Sequence, residues 1–125
     1  MIPTFTRAYE AAAAIVGNLI VTWAAPSTAK TVTTATSATV PLVGVSDAMG
    51  AALGGMCDLH RGGLVSVKLG GTVAAGQPVT SNAAGQGIAA APGAGASMNI
   101  IGFADEPGVA GDIIDVFFAP GTIRG

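Results

Sequence analysis

The sequence contains few charged side chains, few aromatic side chains and a single cysteine. Charged residues make up 10% of the 125 residues and aromatic residues 5%, whereas 50% are hydrophobic. Soluble domains usually carry about 25% charged residues, so we expect a partner to cover part of the apolar exterior. The single cysteine, Cys57, excludes an intrachain disulfide and any metal site built from several cysteines. One free thiol also fits a reducing cytoplasm.

Clustered basic charge is missing as well. The formal net charge is -2 at pH 7. The basic residues are spread along the chain: Arg7, Lys30, Arg61, Lys68 and Arg124. Recognition of a phosphate backbone needs grouped Lys and Arg side chains, which displace its counterions. We therefore expect no nucleic acid among the partners.

The chain has no uninterrupted apolar run of membrane-spanning length. The longest apolar stretch, residues 11–25, contains Gly17, Asn18 and Thr22 and falls short of the roughly 20 residues that cross a bilayer. Glu10 precedes it, where a signal peptide carries basic charge. We expect neither a membrane segment nor a targeting peptide here.

The strongest positive signal is an internal near-repeat. Residues 42–60, LVGVSDAMGAALGGMCDLH, are echoed by residues 100–118, IIGFADEPGVAGDIIDVFF. Each copy predicts an apolar strand with a glycine, an acidic turn rich in Gly and Ala, and a second strand with one aspartate. Equivalent pairs are Gly44 and Gly102, Asp47 and Asp105, and Asp58 and Asp115. We expect two related strand-turn-strand units in one β domain.

The rest of the chain also predicts strands. Residues 64–69 alternate between apolar and polar side chains and are bracketed by paired glycines, as a half-buried strand requires. Glycine turns recur every eight to twelve residues, which is typical of a small barrel or sandwich. The predicted fold is all-β, with a single domain of about seven to nine short strands at residues 11–125 and an extended N-terminal arm at residues 1–10.

The sequence allows two hypotheses for the N-terminal arm. Aromatic residues on a disordered end have nothing to bury against, so an arm that contacts a neighbouring molecule is one hypothesis and a frayed terminus is the other. The candidate residues for contact with a larger assembly or with another protomer are Pro3, Phe5, Arg7 and Tyr9. Ten extended residues reach about 33 to 36 Å, enough to leave the body of the domain.

Four features together resemble the small capsid decoration (cement) proteins of tailed bacteriophages. They are LVGVSD and IIGFAD with their Gly/Ala turns, GGTVAAGQPVTSNAAGQGIAAAPGAGA between them, and the ending GDIIDVFFAPGTI. The resemblance runs from about Ala11 to Ile123. It implies an all-β, non-catalytic virion protein on the outer surface of an icosahedral head, bound to the major capsid protein as a homotrimer. It also implies that the protein passes through the host cytoplasm during assembly.

An enzyme or cofactor carrier is the alternative function. Cys57 could act as a nucleophile with His60 as its base and Asp58 to orient it, but residues three apart on a strand point to opposite faces. Cys57 also falls where the second copy has isoleucine, which favours a buried, inert thiol. Lys68 could carry a cofactor on a hairpin, but its flanking residues do not match a biotinyl or lipoyl motif. We therefore expect no catalytic residues and no cofactor.

Metal binding and host adhesion are weaker alternatives. Asp58 and His60 share a strand face, but two ligands do not make a site. The acidic residues Asp105, Glu106 and Asp112 are too sparse for calcium. We expect the four repeated residues Gly44, Asp47, Gly102 and Asp105 to set structural turns. A head fibre or adhesin fragment that binds a host surface remains a third hypothesis, although the loops lack the expected aromatic residues.

Overall fold

The computed structural model describes residues 2–3, 6–24 and 31–124. The described residues form β-strands joined by turns, and no helix occurs among them. The strands are β1 (Ile2–Pro3), β2 (Thr6–Ala11), β3 (Ile20–Trp23), β4 (Thr31–Thr34), β5 (Gly44–Ser46), β6 (Met56–His60), β7 (Gly63–Lys68), β8 (Pro78–Ser81), β9 (Gly87–Ala89), β10 (Ser97–Ala104) and β11 (Ile113–Arg124).

The all-β class predicted from the sequence is confirmed. The alternation in β7 has the expected cause, because Val65 and Val67 are fully buried while Ser66 and Lys68 on the other face are partly exposed. Two more strands are present than the sequence indicated, and these are β1 and β2 in the segment expected to be an arm. Over the described ranges, the chain has no helix that is long and apolar enough to cross a membrane.

The first unit, residues 6–24 and 31–61, is a closed barrel with the strand order β2-β4-β3-β5-β6. β6 pairs antiparallel with β2, so that Cys57 lies opposite Tyr9. β4 runs parallel to β2 and pairs with it at Ala11 and Val32, which closes the barrel. The barrel interior is filled by buried side chains: Tyr9, Ala11, Ile15, Val21, Val32, Val43, Cys57 and Leu59.

The second unit, residues 64–118, repeats this arrangement. Its strands follow the order β7-β11-β10-β8-β9, which matches β2-β6-β5-β3-β4 of the first unit. One parallel bridge from Leu69 to Gly87 joins the two ends, where Ala11 and Val32 pair in the first unit. β1 adds to the free edge of β7 by pairing with Gly63 and Leu64.

The repeat therefore covers almost the whole chain, not only the two copies found in the sequence. Thr22 Oγ1 donates a hydrogen bond to the Pro41 carbonyl at 2.6 Å. Thr80 Oγ1, 58 residues later, donates to the Asn99 carbonyl at 2.6 Å. Because identical strand order, register and side-chain bonds recur together, the two units are structural duplicates.

The two units pack against each other through different surfaces. Four apolar residues of the first unit belong to the core of the second unit: Ile20, Ala35, Leu42 and Val45. The Ile20 N–H donates to the Gly85 carbonyl at 2.8 Å, and the Lys68 N–H donates to the Asn18 carbonyl at 2.8 Å. The Asn99 side chain donates from Nδ2 to the Val40 carbonyl at 2.8 Å. The domain is thus a closed barrel and a six-stranded sheet that share an apolar core.

The sequence predicted an extended arm at residues 1–10, but part of this segment is a strand of the first unit. Residues 6–10 lie in β2, inside the first barrel, and Tyr9 is 5% exposed because its ring fills the barrel interior. Tyr9, one of the two aromatic residues that suggested an arm, is therefore a core residue. Pro3 lies in β1, and Phe5 lies outside the described residues.

Candidate interaction surface

The candidate catalytic residues of β6 lie on opposite faces of the strand. Cys57 points into the first barrel and is fully buried, while His60 lies on the outer face. Cys57 Sγ is 3.9 Å from the Asp58 carbonyl oxygen, to which it donates. Burial, with smaller contributions from the charges of Asp58 and Asp47, raises the pKa of the Cys57 thiol above 9.0. A protonated thiol turned away from the histidine has neither the charge nor the geometry of a nucleophile.

His60 is held at the edge of the barrel. Its Nδ1 lies 3.1 Å from Thr6 Oγ1. Its Nε2 is buried and has no hydrogen-bond partner among the described residues. Within that same part of the chain, no three His, Cys, Asp or Glu side chains are grouped so that they could hold a metal ion.

The four repeated residues have two different roles. Asp47 Oδ1 accepts a hydrogen bond from the Met49 N–H at 3.1 Å, which shapes the turn after β5. The backbone N–H of Asp47 donates to Asp58 at 2.9 Å, and that of Asp105 donates to Asp115 at 2.9 Å. Each aspartate thus lies at the start of a turn and is hydrogen-bonded through its backbone to the strand that follows the turn.

Gly44 and Gly102 do not set turns, contrary to the expectation from the sequence. Both are buried within strands, Gly44 in β5 and Gly102 in β10. A Cβ on Gly102 would collide with the Phe117 carbonyl oxygen and lie 2.9 Å from the Ala119 nitrogen. The register between β10 and β11 also shifts between Ile100 and Gly102. Gly102 is therefore required where a β-bulge brings the two backbones close together.

Tyr9, Arg7 and Arg61 form a polar cluster at one end of the first barrel. Arg61 donates from Nη1 to the Tyr9 hydroxyl at 2.7 Å and from Nε to the Val43 carbonyl at 2.9 Å. The Arg7 guanidinium lies 5.2 Å from the centre of the Tyr9 ring, and the Trp23 ring meets the Tyr9 ring edge-on at 5.5 Å. Tyr9 is thus fixed by its own chain, and Arg7 is the exposed member of this cluster. Their role in contact with a partner stays a prediction.

A second surface was not recognised in the sequence. The outer row of the first unit crosses four paired strands through Thr6, His60, Val45 and Ile20. The outer row of the second unit occupies the equivalent positions Leu64, Phe117, Phe103 and Pro78. We call these the first outer row and the second outer row.

The two rows differ in exposure at Val45 and His60 and their equivalents, whereas at the end of the rows Thr6 is exposed and its equivalent Leu64 is partly exposed. Val45 is 0% exposed, whereas Phe103 at the equivalent position is 41% exposed. His60 is 6% exposed, whereas its equivalent Phe117 is 55% exposed. The available signal in the sequence was the aromatic Phe117 beside Asp115, on the face opposite Ile114 and Val116. That Phe117 belongs to an exposed aromatic pair depended on the register of β10, which brings Phe103 opposite Phe117.

Comparison with known proteins supports the fold and leaves the family open. No protein-family model matches the chain, and no curated protein does. Among solved structures, the chain is similar to the head fiber gp8.5 N base of bacteriophage phi29, with a TM-score of 0.69. The likeness covers 92% of this chain and 93% of that chain at 12% sequence identity. At this identity the similarity shows a common fold across nearly the full length of both chains.

Proposed function

We propose that this chain is a non-catalytic structural protein of a tailed-phage virion. In this proposal it decorates and stabilises the outside of the icosahedral head by binding the major capsid protein as a homotrimer. The observation that carries the proposal is the fold shared along almost all of both chains with the base of a phage head fiber. The resemblance of the repeated segments to phage decoration proteins supports the same role independently.

The chemistry of the surface is consistent with docking. Few charges cover the chain, and several large apolar side chains are exposed: Val16, Met49, Leu53, Met56, Phe103, Val109, Ile113 and Phe117. A decoration protein needs several modest interfaces that engage together, because each contact raises the effective concentration of the others. A cyclic trimer provides every such contact three times.

The proposed function is tested by adding the purified protein to heads that were assembled without it. We expect saturable co-sedimentation at a fixed ratio to the capsid protein, and a solution mass three times 12.0 kDa. Heads that already carry a full set of the protein are the matched control and should take up none. Absence of binding to bare heads at micromolar protein would overturn the proposal.

The similarity to a fibre base favours one second candidate. In that case this domain would anchor a projecting fibre, and its role would be attachment of that fibre instead of capsid stabilisation. Electron microscopy of heads with and without the protein distinguishes the two candidates by whether a fibre projects from the head. A decoration protein should raise the temperature at which heads release DNA, whereas a fibre base should leave that temperature unchanged.

A further inference from the structure

Arg7 and Arg61 place two positive charges at one end of the first barrel. Arg7 lies opposite Leu59 in the pair of β2 and β6, and Arg61 lies two residues beyond Leu59. The two arginines therefore occupy diagonal positions of neighbouring strands, on the face that also carries Tyr9. Both guanidinium carbons lie over the Tyr9 ring, that of Arg7 at 5.2 Å and that of Arg61 at 6.0 Å from the ring centre.

The chain brings no carboxylate to these two charges. Arg61 is hydrogen-bonded to two neutral oxygens, those of the Tyr9 hydroxyl and the Val43 carbonyl. The neighbouring acidic residues Asp58 and Glu10 lie on the opposite face of β6 and β2, where both are exposed. Within the described part of the chain, the contacts of both guanidiniums are therefore with neutral groups.

The second unit shows that this pairing of strands does not require arginine. Val65 occupies the position equivalent to Arg7, and Phe118 occupies the position equivalent to Arg61. Val65 is fully buried, and Phe118 packs against the core of its unit. The same strand positions thus carry apolar side chains in one unit and two cations in the other. The arginines are a property of the surface that the first unit presents.

We infer that Arg7 and Arg61, held against the Tyr9 ring, form a binding site for a carboxylate, supplied by an acidic side chain of the major capsid protein. The choice of partner rests on the proposed function, whereas the chemistry of the site rests on the two guanidiniums. A guanidinium donates two parallel N–H bonds to a carboxylate, and such charge-assisted bonds are roughly twice as strong as neutral ones.

The site is largely formed before a partner arrives. Arg61 is held by the bond from Nη1 to the Tyr9 hydroxyl at 2.7 Å and by the bond from Nε to the Val43 carbonyl at 2.9 Å. Neither bond uses its Nη2 group, which is available to a ligand. Arg7 is exposed and stacks on the ring that Arg61 fixes. A guanidinium that is already oriented loses less conformational entropy when it binds.

An acidic protein surface matches this site better than a nucleic acid does. A phosphate backbone is bound by many grouped cations, whereas here two arginines meet in a chain of net charge -2. A pair of arginines matches the carboxylate of a single acidic side chain. Charges in this setting select the partner and speed association more than they add affinity.

The first test uses the purified protein without heads. A hexaglutamate peptide is titrated while NMR records the Nε–H signals of the arginine side chains. We expect saturable shifts for Arg7 and Arg61, which weaken as NaCl is added, and no shift for the exposed Arg124. Arg7→Gln should weaken peptide binding by roughly 3- to 10-fold. Arg124→Gln removes the same charge and should leave binding unchanged.

Three results of this titration would overturn the inference. The first is an absence of shifts at millimolar peptide, and the second is equal peptide binding by Arg7→Gln and the wild-type protein. The third is a shift of both signals by inorganic phosphate or a single-stranded oligonucleotide at lower concentration than by the peptide, because the site would then be a phosphate site. Thermal unfolding of each variant verifies that it is folded.

The second test measures the same variants by co-sedimentation with heads that lack the protein. Arg7→Gln should bind these heads roughly 3- to 10-fold more weakly than the wild-type protein, and the difference should shrink as salt is added. Arg124→Gln should bind as the wild-type protein does. Normal head binding by Arg7→Gln at low salt would overturn the capsid protein as the source of the carboxylate.

The two tests also separate this inference from the proposed function. A protein that ignores heads but binds the peptide through Arg7 and Arg61 overturns the proposed function and its partner, and the carboxylate site stands. A protein that binds heads but gives no response to the peptide, with normal head binding by Arg7→Gln, overturns the inference alone.

Discussion

His60 and Phe117 occupy the same position in the two units, but only His60 is buried. The buried position thus holds the polar ring, and the exposed position holds the apolar one. The Nε2 atom of His60 has no hydrogen-bond partner among the described residues. A buried polar atom without a partner costs roughly 1–3 kcal/mol.

We expect His60→Phe to raise the free energy of unfolding by about 1 kcal/mol, because removal of the buried, unpaired Nε2 outweighs loss of the hydrogen bond between Nδ1 and Thr6 Oγ1. Denaturant titration of dilute protein measures this change. Phe117→His is the reciprocal control and should change stability by less than about 0.5 kcal/mol, since that position is exposed. A loss of stability in His60→Phe would contradict this prediction and show that the hydrogen bonding of the imidazole, including that to Thr6, contributes more than the unpaired Nε2 costs.

Cys57 predicts an alkaline loss of stability. Burial raises the pKa of its thiol above 9.0, so the unfolded chain releases a proton at a pH where the folded chain retains it. The stability that the protonated thiol contributes is therefore fully present below pH 9.0 and is lost as pH rises through the folded pKa. The slope of this loss is up to about 1.4 kcal/mol per pH unit. In Cys57→Val this component should be absent. Identical slopes above pH 9.0 in the two proteins would contradict the raised pKa.

The Tyr9 hydroxyl and the Arg7 guanidinium should contribute unequally to stability. Tyr9→Phe removes the acceptor for Arg61 Nη1 at 2.7 Å and should cost about 1–2 kcal/mol, because a partly buried charged donor loses its partner. Arg7→Ala removes an exposed cation above the same ring and should cost no more than about 0.5–1 kcal/mol. Chemical denaturation of both variants checks the order, and a larger loss in Arg7→Ala would reverse it.

The same pair of variants tests the contact role predicted for the N-terminus. Deleting residues 1–10 removes most of β2 and with it the first barrel, so the deletion cannot report on docking alone. If Arg7 contacts the capsid, Arg7→Ala should weaken co-sedimentation with heads while the protein remains folded. Wild-type binding by this variant would remove Arg7 from the interface.

Gly102→Ala should destabilise the protein by about 3 kcal/mol or more, because a Cβ there collides with the backbone at Phe117. Gly93→Ala is the control, since no atom lies within 4 Å of the added carbon and the change should be within about 0.5 kcal/mol. The midpoints of thermal unfolding compare the two. Equal midpoints would mean that the bulge in β10 can relax at little cost.

Sequence reasoning found the repeat only where its side chains are alike. Asp47 and Asp105, with glycines around them, could be aligned because a turn depends on local residues. The strands β2 and β7 are equivalent in the structure, yet TRAYEA and LVSVKL share no identical residue at matching positions. Many different pairs of side chains are compatible with the same pairing of two strands, so backbone pairing can be alike where the sequences differ.

The sequence by itself determined the all-β class, the strand periods and the acidic turns, because these depend on neighbours along the chain. It also determined that Cys57 and His60 lie on opposite faces, since alternation within a strand is local. Only the tertiary structure decided that Tyr9 belongs to the core and that Phe103 and Phe117 are exposed while Val45 and His60 are covered. Burial is set by which surfaces pack together, and two units with the same fold can differ in that respect.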